Sequence, residues 1–113
     1  MIKVLIADDH ALFRDGLKRI FSEIEDIDVV GEAVDGKDIL KKVRECDWDI
    51  ALLDINLPDI NGLDILKRIL SVNSASRILV LSMYPEEEYA IRAIRSGASG
   101  YLTKDSPTDQ LIN

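Results

Sequence analysis

The chain has 113 residues, 47% hydrophobic and 31% charged, with six glycines and three prolines, which excludes disordered, collagen-like and low-complexity classes and suits one domain with one core. Its formal charge is -7, from 14 Lys and Arg against 21 Asp and Glu, the wrong sign for gripping a nucleic-acid backbone over a broad surface. The single Cys46 excludes an internal disulfide, the opening MIKVLIADDH meets two acids where a signal peptide would stay apolar, and no apolar run approaches the roughly eighteen residues of a membrane span, so a cytoplasmic chain is expected.

Short, nearly uninterrupted apolar runs alternate with longer stretches whose apolar residues recur every three or four positions, the pattern of alternating strands and helices. The first run, Ile2–Ala7, predicts a strand, and Phe13, Leu17, Ile20, Phe21 and Ile24 then form one stripe of a helix. The run 29–34 is interrupted by Gly31 and Glu32 and is expected at a sheet edge. Asp35 is placed to cap a second helix striped by Ile39, Leu40, Val43 and Cys46. After a third run, 50–53, Asn61 caps a third helix carrying Leu63, Leu66, Ile69 and Leu70. A fourth run, 78–81, precedes a helix faced by Ala90, Ala93, Ile94 and Gly97, with Gly97 as its stop and Glu86-Glu87-Glu88 supplying negative charge to its N-terminus. Tyr101-Leu102 is a short fifth run, and Ser106-Pro107-Thr108-Asp109 reads as the start of a fifth helix truncated at Asn113. The first, third and fourth runs lack polar alternation, as parallel strands covered on both faces do. Phe21 and Trp48 read as packing residues, and His10 as a surface residue on the first helical turn.

The polar residues that end the runs are Asp8-Asp9, Asp54, Ser82 and Lys104. Parallel strands point their C-terminal ends to one edge, where open α/β sheets bind ligands, so these residues should converge. Singly each has a bland reading: Asp9 could cap the first helix, and Lys104 could be a solvated side chain. Together they form a candidate site. Three neighbouring carboxylates repel one another unless a cation sits among them, and an oxygen-only donor set selects a hard ion such as Mg²⁺. Phosphate oxygens suit the open positions of that ion. Lys104 and Ser82 would help to neutralise a phosphoryl group in transit, with the Asp54 carboxylate as its acceptor.

The order Asp8-Asp9, DINLPDING from Asp54 to Gly62, Leu81-Ser82 and GASGYLTK from Gly97 to Lys104 resembles the receiver domain of two-component response regulators across essentially the whole chain. ADDHALFRDGL and GASGYLTKD are similar to the NarL/FixJ (LuxR-type) branch. The resemblance implies a CheY-like (flavodoxin-like) α/β fold: a doubly wound, five-stranded parallel sheet in the order 2-1-3-4-5 with flanking helices. It further implies Asp54 as phosphoacceptor, Asp9 as a direct Mg²⁺ ligand, Asp8 as a ligand through water and the Asn56 backbone carbonyl as another. Ser82 and Lys104 would bind the phosphoryl group, and Tyr101 would be the switch aromatic. Ser82 stands where Thr is frequent, which keeps the hydroxyl, and Asp105 follows Lys104 where many receivers have Pro.

The implied partners are a sensor histidine kinase, a second copy in a phosphorylation-dependent homodimer, and DNA through a C-terminal helix-turn-helix domain that residues 1–113 do not include. Alternatives are a stand-alone receiver and a haloacid dehalogenase-like phosphohydrolase. The latter places its nucleophile after the first strand with a second Asp two residues on, where this chain has Asn56. A flavin- or nucleotide-binding module would need a glycine-rich phosphate loop, and the six glycines are scattered.

Overall fold

The computed structural model describes residues 1–82 and 87–103. Five strands, Ile2–Ala7 (β1), Ile27–Ala33 (β2), Ile50–Asp54 (β3), Arg77–Ser82 (β4) and Gly100–Thr103 (β5), pair in parallel in the order β2-β1-β3-β4-β5. Four helices alternate with them: Ala11–Ser22 (α1), Gly36–Glu45 (α2), Gly62–Val72 (α3) and Glu87–Arg95 (α4). Fold class and strand order are those expected. The predicted fifth helix, Lys104 and Glu86 lie outside the described residues.

The apolar runs split between two cores because successive strand residues face opposite sides of the sheet. Leu5, Ala7, Ala51, Leu53, Ile78 and Val80 share one core with Ile39 of α2, Leu63, Leu66 and Ile69 of α3, and Ala93 of α4. Val4, Ile6, Leu52 and Leu81 share the other with Leu17 and Phe21 of α1. Both faces of β1 and β3 are therefore covered, which is why neither strand shows polar alternation. Each fully buried leucine or isoleucine adds about 1.5–3 kcal/mol, which holds the strand ends in a fixed register.

The caps follow the sequence. The Asp35 side chain accepts from the Asp38 N–H at 2.8 Å, and Asn61 from the Leu63 N–H at 2.8 Å. Gly97, with φ 106°, takes the left-handed conformation just past α4. Trp48 packs on the larger core and donates its indole N–H to the Val43 carbonyl. Phe21 is buried, as read.

Four local expectations are corrected. β2 starts at Ile27, two residues before its apolar run, because Ile27 and Asp28 pair with Ile2 and Lys3; the register then skips Val30, with Val4 opposite Val29 and Leu5 opposite Gly31, a bulge on an edge strand. Ile65 of α3 is fully buried although it lies off the predicted stripe, since the buried face of α3 is wider than one row. Ile94 of α4 is exposed, so the buried face of that helix centres on Ala93. Asp9 does not cap α1: the N-cap is His10, with no side-chain cap bond. Among the described residues, no helix is long and apolar enough to cross a membrane.

Candidate functional site

Parallel register carries the strand-terminal acids together. Ala7 pairs with Leu53, so the next residues, Asp8 and Asp54, are neighbours at the C-terminal edge of the two central strands. Asp54 is the last residue of β3, and the Asp8 N–H donates to the Ala33 carbonyl of β2 at 3.0 Å. Asp8, Asp54 and Ser82 are 0% exposed, a rare degree of burial for ionisable and polar side chains, whereas Asp9 and Asn56 are exposed at the rim. Asp8, Asp9, His10 and Asp54 each offer a ligand atom, and these atoms lie within 4.8 Å of one another.

His10 is exposed at the surface, as read, and it also belongs to this cluster. Its ring is more than half exposed, yet Nδ1 lies 2.9 Å from Asp8 Oδ1 and 3.2 Å from Asp9 Oδ1. Its backbone N–H also donates to Asp8 Oδ1, at 2.8 Å. Two carboxylate oxygens on one ring nitrogen favour the tautomer protonated at Nδ1. The only hint in the sequence was adjacency to the acid pair.

Arg14 and Glu32 brace the site from behind. Arg14 Nη1 donates to the Asp8 carbonyl at 2.7 Å and Nε to Glu32 Oε1 at 3.2 Å, which ties α1 to the ends of β1 and β2. Lys18 Nζ donates to Glu32 Oε2 at 3.0 Å, and this hydrogen bond holds the Lys18 ammonium above its usual pKa of 10.5. Lys42 Nζ donates to the Glu32 backbone carbonyl. Sequence reasoning registered Glu32 only as a polar break in an apolar run; that break was its signal.

The loop 55–61 closes over the cluster. Asp54 Oδ1 accepts from the Asn56 N–H at 3.0 Å, the Ile55 N–H donates to Leu81 of β4 at 2.9 Å, and the Gly62 N–H returns to the Ile55 carbonyl at 2.9 Å. That return demands glycine: a Cβ on Gly62 would sit 2.4 Å from Ile55 Cα and 2.8 Å from the Asp54 carbonyl oxygen.

Ser82 ends β4 on the strand beside β3, where Asp54 pairs with Leu81, one residue earlier. Tyr101 is half-buried on β5, packs on the larger core and pairs with Val80. Lys104 follows Thr103, whose backbone pairs with Ser82; its own position is outside the described residues. A cavity of about 950 Å³ lies at the opposite edge of the sheet, lined by Leu40, Trp48, Arg68, Val72 and Arg77 among others. None of the strand-end acids touches it, and it lacks their concentration of buried charge.

Buried carboxylates sharing one small volume with an exposed one can hold a hard divalent cation and leave part of its coordination sphere open to ligands from solvent. Such an arrangement is a candidate metal site, with the buried Asp8 and Asp54 carboxylates at its centre.

Residues 4–113 match the response regulator receiver domain. Response regulator GacA of Pseudomonas aeruginosa is 37% identical over 112 residues, 99% of this chain and 52% of that protein. The nitrate/nitrite response regulator protein NarL of Escherichia coli is 38% identical over 109 residues, 96% of this chain and 50% of NarL. A crystal structure of a LuxR-family two-component response regulator from Aurantimonas superposes with a TM-score of 0.92 at 33% identity, over 97% of this chain and 79% of the other. A chain of this fold that matches that family model over nearly its whole length is a signalling domain of the receiver class. It belongs to the response regulator receiver family, and its relatives are NarL- and LuxR-type regulators. The chain spans about half the length of the curated relatives it matches.

Proposed function

We propose that Asp54 accepts a phosphoryl group from the phosphohistidine of a sensor histidine kinase, at a Mg²⁺ site formed by Asp8, Asp9, Asp54 and the Asn56 carbonyl. The observation that carries this reading is the convergence, within 4.8 Å, of donor atoms from Asp8, Asp9 and Asp54, two of them fully buried. The residues suit the ion: hard oxygen donors, with Asp9 and Asn56 on the open side. Bound Mg²⁺ would offset the negative charge that otherwise keeps a phosphoryl group from a carboxylate.

The P–N bond to the kinase imidazole breaks as a P–O bond to an Asp54 carboxylate oxygen forms, and the leaving imidazole takes up a proton. Asp54 is placed for this at the end of a central strand, with Oδ1 already fixed by the Asn56 N–H. The Ser82 hydroxyl then donates to a phosphoryl oxygen, and the Lys104 ammonium balances its charge. Drawing Ser82 inward would move the loop 83–85 and open space for Tyr101 to turn inward, altering the surface formed by residues 82–105. That surface would control homodimerisation and a C-terminal helix-turn-helix output domain that reads DNA. In this reading residues 1–113 form one receiver, cytoplasmic, whose catalysis is limited to its own phosphorylation and slow dephosphorylation. Asn56, where a phosphohydrolase of the rival type has an acid, supports that limit.

Incubation with Mg²⁺ and a small acyl phosphate should add one phosphoryl group by intact mass. Asp54→Asn should abolish the gain; a wild-type rate in that variant would overturn the assignment. With Mg²⁺ and beryllofluoride, NMR should show the Tyr101 ring shifted, and an unchanged ring would remove the proposed switch.

A further inference from the structure

Asp59 sits at the apex of the loop 55–61 and is exposed, yet its carboxylate accepts three backbone N–H groups. Oδ1 accepts from Gly36 at 2.6 Å and Ile60 at 2.9 Å, and Oδ2 from Lys37 at 3.0 Å. Gly36 and Lys37 are the first two residues of α2, whose N–H groups have no acceptor within the helix. Asp35 satisfies only the third, Asp38. The remaining two are thus capped from another segment of the chain, 22 and 23 residues away in sequence. A carboxylate suits that place because it meets the positive end of the helix dipole. The Gly36 hydrogen bond, with lesser help from the Lys37 bond, holds Asp59 below its ordinary pKa of 3.8.

The fit between loop and helix is close. A Cβ on Gly36 would lie 2.9 Å from Ile60 Cβ and 3.0 Å from Asp59 Oδ1, so the absence of a side chain there admits the loop. The two ends of the loop are tied to the sheet and to each other through Ile55, Leu81 and Gly62. Between those ties, Asp59 docks the apex onto α2, three residues after Asn56.

We infer that Asp59 is a positioning residue for the metal site: by clamping the loop to the N-terminus of α2 it holds the Asn56 carbonyl where the ion needs it. The inference rests on the receiver reading above, in which that carbonyl is a ligand. The loop competent for the ion is then the populated one, and the apparent dissociation constant rises as that population falls.

Isothermal titration with MgCl₂ tests this on wild type, Asp59→Ala and Asp59→Asn. Asp59→Ala should weaken Mg²⁺ binding about fivefold, the effect of reducing the competent population to about one-fifth. Asp59→Asn keeps the acceptor for Gly36 but turns a donor toward Lys37, and should fall between. Hydrogen exchange at the Gly36 and Lys37 amides should accelerate in the same order. Phosphorylation by a small acyl phosphate should slow at limiting Mg²⁺ and recover to within about twofold at saturation, a split that general damage to the fold would not produce. Gly36→Ala, which pushes a methyl group against Ile60 and Asp59, supplies an independent variant should Asp59→Ala not fold. Wild-type Mg²⁺ affinity in any folded variant with exposed Gly36 and Lys37 amides overturns the inference. A wild-type protein that binds no Mg²⁺ and accepts no phosphoryl group overturns the receiver reading itself.

Discussion

Arg14 occupies a position where one side chain serves two elements, and its worth follows from what its loss would strand. Its side chain is 15% exposed, and its guanidinium donates to the Asp8 carbonyl and pairs with Glu32. Arg14→Ala would leave the Asp8 carbonyl without this donor and Glu32 with Lys18 alone. Hydrogen bonds to charged groups contribute about 1.5–3 kcal/mol, and partial exposure of Glu32 screens some of it. The expected loss is about 1–2 kcal/mol, read as a lower urea midpoint at unchanged slope. Lys3, by contrast, pairs with the exposed Asp47 at 2.6 Å, and Lys3→Ala should leave stability nearly unchanged.

At the scale of elements, the loop 55–61 and the helix starts beside it decide how the strand ends work as a site. Gly62→Ala would force Ile55 and the Asp54 carbonyl apart, since the new methyl group cannot fit at 2.4 Å from a backbone atom. A cost of about 1–3 kcal/mol is expected, together with weaker Mg²⁺ binding, checked by thermal unfolding and calorimetry on the same sample. The Asp59 clamp on α2 carries a pH signature. Its pKa is depressed in the folded state, so its contribution is complete above the ordinary value of 3.8 and is lost as pH falls below that value through the folded pKa. The stability difference between wild type and Asp59→Asn should therefore be constant near about pH 6 and shrink toward about pH 3. A difference that widens on acidification would contradict the clamp.

For the whole molecule, a cation that binds the folded acids but not the dispersed ones must stabilise the fold. At a Mg²⁺ concentration tenfold above the dissociation constant the gain is about 1.4 kcal/mol, equivalent to a rise in Tm of roughly 5 °C for a domain of this size. Asp9→Asn, altered at the exposed rim, should keep the metal-free Tm and lose most of that rise. The same rise in that variant would place the ion elsewhere.

Alternating apolar runs, helical stripes and caps made the α/β architecture legible, because burial on both faces of a parallel sheet leaves uninterrupted strands that few other folds produce. Strand-end polarity also made Asp8, Asp9, Asp54 and Ser82 legible as candidates, since parallel strands deliver their C-terminal residues to one edge whatever lies between. Other features depended on contacts between segments distant in sequence. Glu32 looked like a defect in a strand until Arg14 and Lys18 of α1 were beside it. Asp59 was only one letter of the motif from Asp54 to Gly62 until the N–H groups of Gly36 and Lys37 on α2 faced it. His10 looked like solvent-facing helix until the chain's turn out of β1 brought its ring back over two acids. Chain pattern carries the period of burial and so determined the elements. Only the tertiary structure decided which polar groups share a dielectric environment and a hydrogen bond, because those energies depend on distances that no local spacing encodes.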